Sequence, residues 1–218
     1  MNYNIVYSNR KTIALVVKPG AILEIRAPMR ADRQQIEKIL LNRKEWVEKN
    51  LQKMDKKKVP LKQYKPGEDF LFLGKKYPLM LVSDYRSRVY FENAFFISVH
   101  FAHKAKAMMQ TWYKEKAFEI INERIVKFSK IMGVQYKSIG IRYNKTRWGS
   151  CSSSGNLNFS WRLIMAPLEI IDYVVVHELA HIAQHNHSRL FWKEVATYFP
   201  EYKKAKVWLN EQGYLLTV

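Results

Sequence analysis

The sequence predicts an α+β fold in which a β-rich N-terminal region precedes a mainly helical core. In the first hundred residues, short apolar runs alternate with turn residues, as in strands joined by tight turns. After residue 102 the spacing of apolar residues becomes helical. The 218-residue chain is 48% hydrophobic and 14% aromatic, enough for a packed core. We expect β-hairpins and one helix in residues 1–102, and a second domain in residues 103–218.

The N-terminal region is predicted to contain several strands and a single helix. Turn residues separate the strands at Asn9-Arg10, Pro19-Gly20, Gly74 and Glu92-Asn93. The helix lies near residues 31–52, where apolar residues recur at helical spacing behind Asp32, a residue type that caps helix N-termini. The charged stretch 55–69 contains proline and glycine and is predicted to be a loop.

The second half is predicted to contain four helices and two short strands. A long amphipathic helix begins near residue 103 and ends at Gly133. Residues 138–143 and the alternating run 156–164 read as strands. Pro167 opens a further helix. The boundaries of the last two helices are predicted from Ser188 as a cap, Pro200 as a stop and Gly213 as the final end.

The chain is strongly basic, with 37 lysines and arginines against 19 acidic residues and a formal net charge of +18. A field of this sign attracts phosphates, nucleic acids and acidic surfaces. The same net charge is also typical of an ordinary solvated basic surface, and the sequence contains no recognised nucleic-acid-binding motif. Charge alone therefore leaves nucleic-acid binding open.

The sequence also suggests where the protein resides. No apolar run approaches the roughly 20 residues of a membrane span. The N-terminus lacks the basic-then-apolar order of a secretory signal. The single cysteine, Cys151, excludes an internal disulfide and fits a reducing compartment. We expect a cytoplasmic protein with no membrane association.

Four of the six histidines lie within residues 177–187, HELAHIAQHNH. The first five residues form an H-E-x-x-H sequence inside a predicted helix. His177 and His181 are four residues apart and share one helix face, so both imidazoles can reach one Zn²⁺ ion. Glu178 lies beside them and can take a proton from a water that the metal activates. The pattern predicts a zinc site with Glu178 as catalytic base.

The third zinc ligand is chosen among His185, His187 and Glu201. His185 continues the four-residue series, but four residues climb about 6 Å along a helix, away from an ion held by the first pair. His187 follows Asn186, a residue that tolerates the left-handed conformation used to end helices, so a turn can return His187 to the ion. Glu201 is the acidic alternative. We favour His187, and we expect Cys151 to be a small buried residue rather than a ligand.

The surrounding residues add a resemblance to a known family. They are Arg142, Lys145, the run Arg147-Trp148-Gly149-Ser150-Cys151, Pro167, the YVVVHEL segment and the NHSxxFW ending. Residues 142–208 thereby resemble the YgjP-like metallopeptidase family, which is related to the SprT-like zinc proteases. The resemblance implies a zincin-like core built around the H-E-x-x-H helix. It also implies zinc ligands His177, His181 and His187 and a catalytic Glu178.

Other site residues are less closely specified. In a zincin-like core an edge strand of a small sheet can pair with an extended peptide, and residues 156–164 are the candidate strand. Arg142, Lys145 and Arg147 are candidate substrate or anion contacts. A group that stabilises the transition state is expected among Tyr143, Tyr173 and Arg147.

Three functions are consistent with these features. The first is a zinc-dependent metallopeptidase acting on a peptide or protein. The resemblance also implies an alternative, a metal-dependent pyrophosphatase of nucleoside triphosphates such as UTP, in which basic side chains neutralise the phosphates. The third is a non-catalytic, zinc-stapled nucleic-acid-binding module, which is disfavoured because structural zinc usually has four protein ligands. The sequence does not determine the oligomeric state.

Overall fold

The computed structural model describes residues 3–18, 21–55, 61–144 and 146–218, without the side chains of 53–55. The chain forms two compact units, Met1–Pro60 and Leu61–Val218. Both units combine strands and helices, which confirms the α+β class. In the described part of the chain, no helix is both long and apolar enough to cross a membrane.

The first unit contains a three-stranded sheet of β1 (Tyr3–Ser8), β2 (Ala14–Lys18) and β3 (Ile22–Pro28). Strand β3 is central, antiparallel to β2 and parallel to β1. The two strands that flank Asn9-Arg10 therefore do not pair with each other. Strand β3 takes the central position because it carries most of the buried apolar residues of the sheet, Leu23, Ile25 and Ala27. The predicted turn at Pro19-Gly20 lies outside the described residues.

Two helices, not one, cover this sheet: α1 (Arg33–Asn42) and α2 (Lys44–Asp55). Asp32 caps α1 as predicted, since its side chain accepts a hydrogen bond from the backbone N–H of Gln35. The predicted single helix is broken at Arg43, whose backbone (φ −116°, ψ 15°) leaves the helical region. Ile36 and Val47, one from each helix, join the core of the sheet.

The second unit begins with a sheet ordered β4-β5-β7-β6. The predicted hairpin turns at Gly74 and Glu92-Asn93 are confirmed, because β4 pairs with β5 and β6 pairs with β7 in antiparallel fashion. Strands β5 and β7 are parallel. The four strands are β4 (Asp69–Phe72), β5 (Lys75–Val82), β6 (Tyr90–Phe91) and β7 (Phe95–Ser98).

Helix α3 (Ala105–Met132) packs on this sheet and ends at Gly133, whose φ of 65° is the left-handed conformation predicted there. The ring of Trp112 contacts Phe72 and Phe95 edge-on, with centroids 5.0 and 4.9 Å apart. The hydroxyl of Tyr113 donates a hydrogen bond to the carbonyl of Leu71 at 2.6 Å. Strands β4–β7 thus share a core with α3, so the division of the chain falls after residue 60 and not near residue 102.

A second sheet in this unit contains β8 (Ser138–Arg142), β9 (Gly149–Cys151) and β10 (Asn156–Ser160). Strand β10 is central, parallel to β8 and antiparallel to β9. The expectation that residues 156–164 form an edge strand is therefore wrong. Leu157 and Phe159 are fully buried, and a strand that fills the core on one face is best placed with neighbours on both sides.

The remaining helices are α4 (Leu168–Ala183), α5 (Arg189–Tyr198) and α6 (Tyr202–Gln212). Short 3₁₀ helices occupy Val99–Lys104, Trp161–Met165 and Gly213–Leu215. A bidentate ion pair joins helices α3 and α4: Arg124 Nε and Nη2 donate hydrogen bonds to the Asp172 carboxylate at 2.5 and 2.7 Å. Helix α3 thus packs against α4, the helix that carries His177 and His181.

The turn at Gly74 fixes the start of α4. The backbone N–H groups of Leu73 and Gly74 donate to the carbonyls of Ile164 and Met165 at 3.0 Å each. A Cβ on Gly74 would lie 2.8 Å from Pro167 Cγ and 3.0 Å from its Cα. The backbone of Pro167 cannot rotate away as a flexible side chain can.

We predict that Gly74→Ala lowers the free energy of unfolding by about 1–3 kcal/mol more than Gly67→Ala, because only the former overpacks. Both glycines have φ of +80°, and nothing lies within 4 Å of a Cβ on Gly67. The left-handed strain of about 1–2 kcal/mol is then common to both variants. Urea denaturation followed by tryptophan fluorescence measures the difference. Equal losses would show that Pro167 moves without cost.

Candidate metal centre and active site

Helix α4 presents two histidines on one face because its other faces are buried. Val175, Val176, Leu179 and Ala180 have no exposed surface, so the rotation of the helix about its axis is fixed. His177 and His181, one turn apart, remain half-buried at the edge of a cleft. Their ring centroids are 5.0 Å apart.

The end of α4 brings a third histidine back toward this pair. The helix ends at Gln184, which has an extended backbone (φ −129°, ψ 93°) and donates its N–H to Ala180 O at 2.9 Å. The expected left-handed turn at Asn186 is not used, since Asn186 is not among the residues with positive φ. Its side chain instead accepts the N–H of Ser188 at 3.2 Å. The chain reverses, and His187 Nε2 comes to lie 3.1 Å from His177 Nε2.

The three histidines form a cluster that could hold a metal ion. One ring nitrogen from each of His177, His181 and His187 lies within 4.8 Å of the other two. His185 is exposed and lines the same cleft but is not in the cluster. Glu201 lies at the start of α6, where its carboxylate forms an ion pair with Lys204 at 2.5 Å. Of the three sequence candidates for the third ligand, the structure brings His187 to the pair.

Burial favours the neutral forms of His177 and His181, which leaves lone pairs for a metal. Burial lowers the pKa of His177 to about 3, with further lowering from His181, His187 and Lys206. Burial also lowers the pKa of His181. His181 Nδ1 lies 3.0 Å from the carbonyl of Gln184, so this nitrogen carries the hydrogen and Nε2 carries the lone pair.

Glu178 lies behind the histidines and is buried away from solvent. It is 4% exposed, and its Oε2 is buried without a hydrogen-bond partner among the described residues. Burial raises its pKa to about 8, and the nearby charge of Arg147 opposes this rise. A carboxyl group whose pKa lies near neutrality can both accept and return a proton.

Strand β9 forms the other wall of the cleft, which has a volume of about 280 Å³. Gly149 packs directly on Glu178, because a Cβ at position 149 would lie 2.5 Å from Glu178 Oε1. Any larger residue there would displace the carboxylate. The lining residues are Arg147, Gly149, Ser150, Cys151, His177, Glu178, His181, His185 and His187.

The other sequence candidates lie at various distances from the cleft. Arg142 is exposed on β8, where its Nε donates to Asn158 Oδ1 at 3.4 Å, and it does not line the cleft. Lys145 lies outside the described residues. Tyr143 stacks on Trp161 with centroids 6.0 Å apart. Tyr173 is buried one turn before His177, and its ring meets the His177 ring edge-on at 5.8 Å.

Sequence reasoning missed the aromatic support under the histidines. Phe191 of α5 is fully buried and stacks on His181, with ring centroids 4.4 Å apart. It also contacts His177 and His187 at 4.9 and 4.8 Å. Trp192 stacks on His187 at 5.6 Å. The available signal was the FW pair a few residues after His187 in an amphipathic helix.

The chain is similar to proteins of known family and structure. The model of a family described as YgjP-like, metallopeptidase domain, matches residues 11–212. Among solved structures, the chain is similar to the metallopeptidase zymogen abylysin of Pyrococcus abyssi, with 25% identity over 43% of this chain and 95% of that chain, at a TM-score of 0.39. The chain is also similar to the metallopeptidase zymogen jannalysin of Methanocaldococcus jannaschii, with 21% identity over 42% of this chain and 95% of that chain, at a TM-score of 0.39. No curated protein is significantly similar to the chain.

We predict that His187→Ala weakens Zn²⁺ binding by roughly 100-fold or more, because losing a ligand should exceed the roughly 10–100-fold effect of second-shell changes. His185→Ala is the matched control. Its Zn²⁺ affinity should stay within about threefold of the wild-type affinity, because His185 lies outside the cluster and even second-shell changes begin at roughly tenfold. Competition with a chromophoric chelator measures both affinities. A larger loss in His185→Ala than in His187→Ala would reverse the assignment.

Proposed function

The chain belongs to the YgjP-like metallopeptidase family, and on that premise we propose that it is a zinc-dependent peptidase whose ion is held by His177, His181 and His187. The observation that carries the proposal is the meeting of three imidazoles, two of them held neutral by burial, with a buried carboxyl group in one cleft. A non-catalytic zinc staple would not require Glu178 to remain buried without a partner.

The residues fit a zinc ion in three respects. Three nitrogen donors suit zinc, and three protein ligands leave one position for water or substrate, as in catalytic sites. The tautomer of His181 is fixed by Gln184, which directs its free lone pair away from the helix end. His177 Nε2 and His187 Nε2 approach within 3.1 Å, as nitrogens do when they converge on one point.

The metal would supply Lewis acidity toward the scissile carbonyl and would acidify a water molecule. We assign proton transfer to Glu178. Its carboxylate accepts a proton as the water oxygen bonds to the carbonyl carbon, and it returns that proton to the leaving nitrogen as the C–N bond breaks. Burial under Gly149 holds the carboxylate in place and raises its pKa to about 8, which makes it a stronger base toward the proton of the water molecule.

We assign the substrate path to β9, the edge strand of its sheet beside the histidines. Ser160 donates its N–H to Trp148 O at 2.8 Å, and Ser152 donates to Asn156 O at 3.0 Å. Because hydrogen-bonded and non-hydrogen-bonded pairs alternate in an antiparallel ladder, Gly149 and Cys151 turn their backbone groups away from β10. These groups are free to pair with an extended peptide.

We predict that Glu178→Gln abolishes peptide cleavage while retaining Zn²⁺, because an amide cannot accept the proton but fills the same space. The loss in kcat should be about 100-fold or more. Mass spectrometry of a peptide pool that also contains nucleoside triphosphates detects the products, and metal content is measured in parallel. Pyrophosphate release without peptide fragments would contradict the peptidase and support the pyrophosphatase alternative.

We also predict that Gly149→Ala impairs cleavage by displacing Glu178, since the added methyl group must move that side chain. Gly140→Ala is the matched control, because its Cβ would lie equally close, 2.5 Å, to a side chain of the same sheet, but to Asn158 Oδ1. The expected result is a loss of kcat of at least about tenfold in the first variant alone. Equal activities of the two variants would show that the function of Glu178 does not depend on a glycine at position 149.

A further inference from the structure

Among the described residues that line the cleft, Arg147 is the one with a permanent positive charge. Arg147 is exposed, lies two residues before the first residue of β9 and lines the cleft. It makes no hydrogen bond or ion pair with any described residue. The other charged lining residue, Glu178, is buried beneath Gly149. A substrate entering the cleft therefore meets a positive charge and no accessible negative one among the described lining residues.

Nearby charged residues do not cancel this field. Glu201 is paired with Lys204, and Asp172 is paired with Arg124. Lys206 lies over the ring of Trp192 at 4.6 Å, and Trp192 in turn packs on the histidines. Both flanks of the site are thus basic. A cleft with one sign of charge concentrates ligands of the opposite sign.

The position of Arg147 relates it to the scissile bond. It precedes Gly149, the residue that covers Glu178, by two residues. Two residues of extended chain span about 7 Å. A peptide that pairs residue by residue with β9 would place a side chain near Arg147 at about two residues from the bond that is cleaved. A planar guanidinium binds a carboxylate through two parallel hydrogen bonds.

We propose that Arg147 binds a carboxylate of the substrate and so makes the enzyme select peptides with an acidic residue, or a free C-terminus, about two residues from the scissile bond. The inference rests on the proposed peptidase function and deepens it. Arg147 is a specificity residue in this role. If Arg147 instead only positions Glu178, its loss would slow all peptides equally.

The test uses a set of peptides that differ in one position. A single glutamate is moved through three positions on each side of the cleavage site, and each peptide is compared with its glutamine counterpart. The same peptides with a free or an amidated C-terminus separate side-chain from terminal carboxylates. We expect the wild type to prefer the acidic peptide at one position by about tenfold or more in kcat/KM, as a charge-assisted contact allows.

Substitutions at position 147 assign this preference to the arginine. Arg147→Gln should reduce it to within about twofold, with the loss of kcat/KM falling mainly on the acidic peptide rather than on the glutamine peptide, since about tenfold corresponds to one such contact. Arg147→Lys should restore part of the preference, and Arg147→Glu should reverse it toward lysine peptides. Arg142→Gln, on the opposite edge strand of the same sheet, should keep it.

Two outcomes would overturn the inference. One is equal cleavage of acidic and neutral peptides by the wild type. The other is an Arg147→Gln variant that retains the preference or slows all peptides alike. If no peptide is cleaved, binding of the same peptides to the zinc-loaded protein by fluorescence anisotropy decides separately. Tighter binding of acidic peptides that is lost in Arg147→Gln supports the carboxylate site even where the peptidase function fails, and equal binding of acidic and neutral peptides by the wild type refutes the carboxylate site.

Discussion

The site depends on a single helix that is part of the core and also carries two of the three clustered histidines. Helix α4 is held from behind by the ion pair of Arg124 with Asp172 and is buried along most of its surface. Tight packing fixes the direction in which the two histidines point. Because the third histidine follows directly after the end of the same helix, one rigid element and one turn place the whole cluster. Small changes in the packing of α4 would therefore move all three imidazoles.

Burial also sets the chemistry of the site. The same desolvation that lowers the pKa of His177 raises the pKa of Glu178, because both groups are driven toward their neutral forms. Neutral imidazoles are ligands, and a carboxyl group that titrates near neutrality is a proton carrier. Phe191, packed against all three histidine rings, excludes water from below. Phe191 thus supports the three histidine rings sterically, and by excluding water it also affects their electrostatic environment.

The arrangement of strands separates the structural and the exposed parts of the sheet. The apolar strand β10 lies in the centre, while the short and small-residue strand β9 lies at the edge, against α4. Gly149 is needed there because the backbone must approach the Glu178 carboxylate closely. The strand that follows Arg147 by two residues is thus also the one whose outer edge faces the cleft.

The sequence by itself determined those features of the fold that depend on residues close together in the chain. The cap at Asp32, the stop at Gly133, the hairpin turns and the course of α4 through the histidines all follow from local conformational preferences and periodicity. The shared helix face of His177 and His181 belongs to the same class, whereas the turn that returns His187 does not use the left-handed conformation expected at Asn186. Residues far apart in the chain give no comparable signal.

Tertiary structure decided what depends on distant partners. Strand order was one such feature, since alternation identified residues 156–160 as a strand but not as the central one. The pairing of β1 with β3, the shared core of β4–β7 with α3, and the contact of Gly149 with Glu178 were others. Local preference describes one segment at a time, whereas hydrophobic burial is resolved only when all segments compete for the same core.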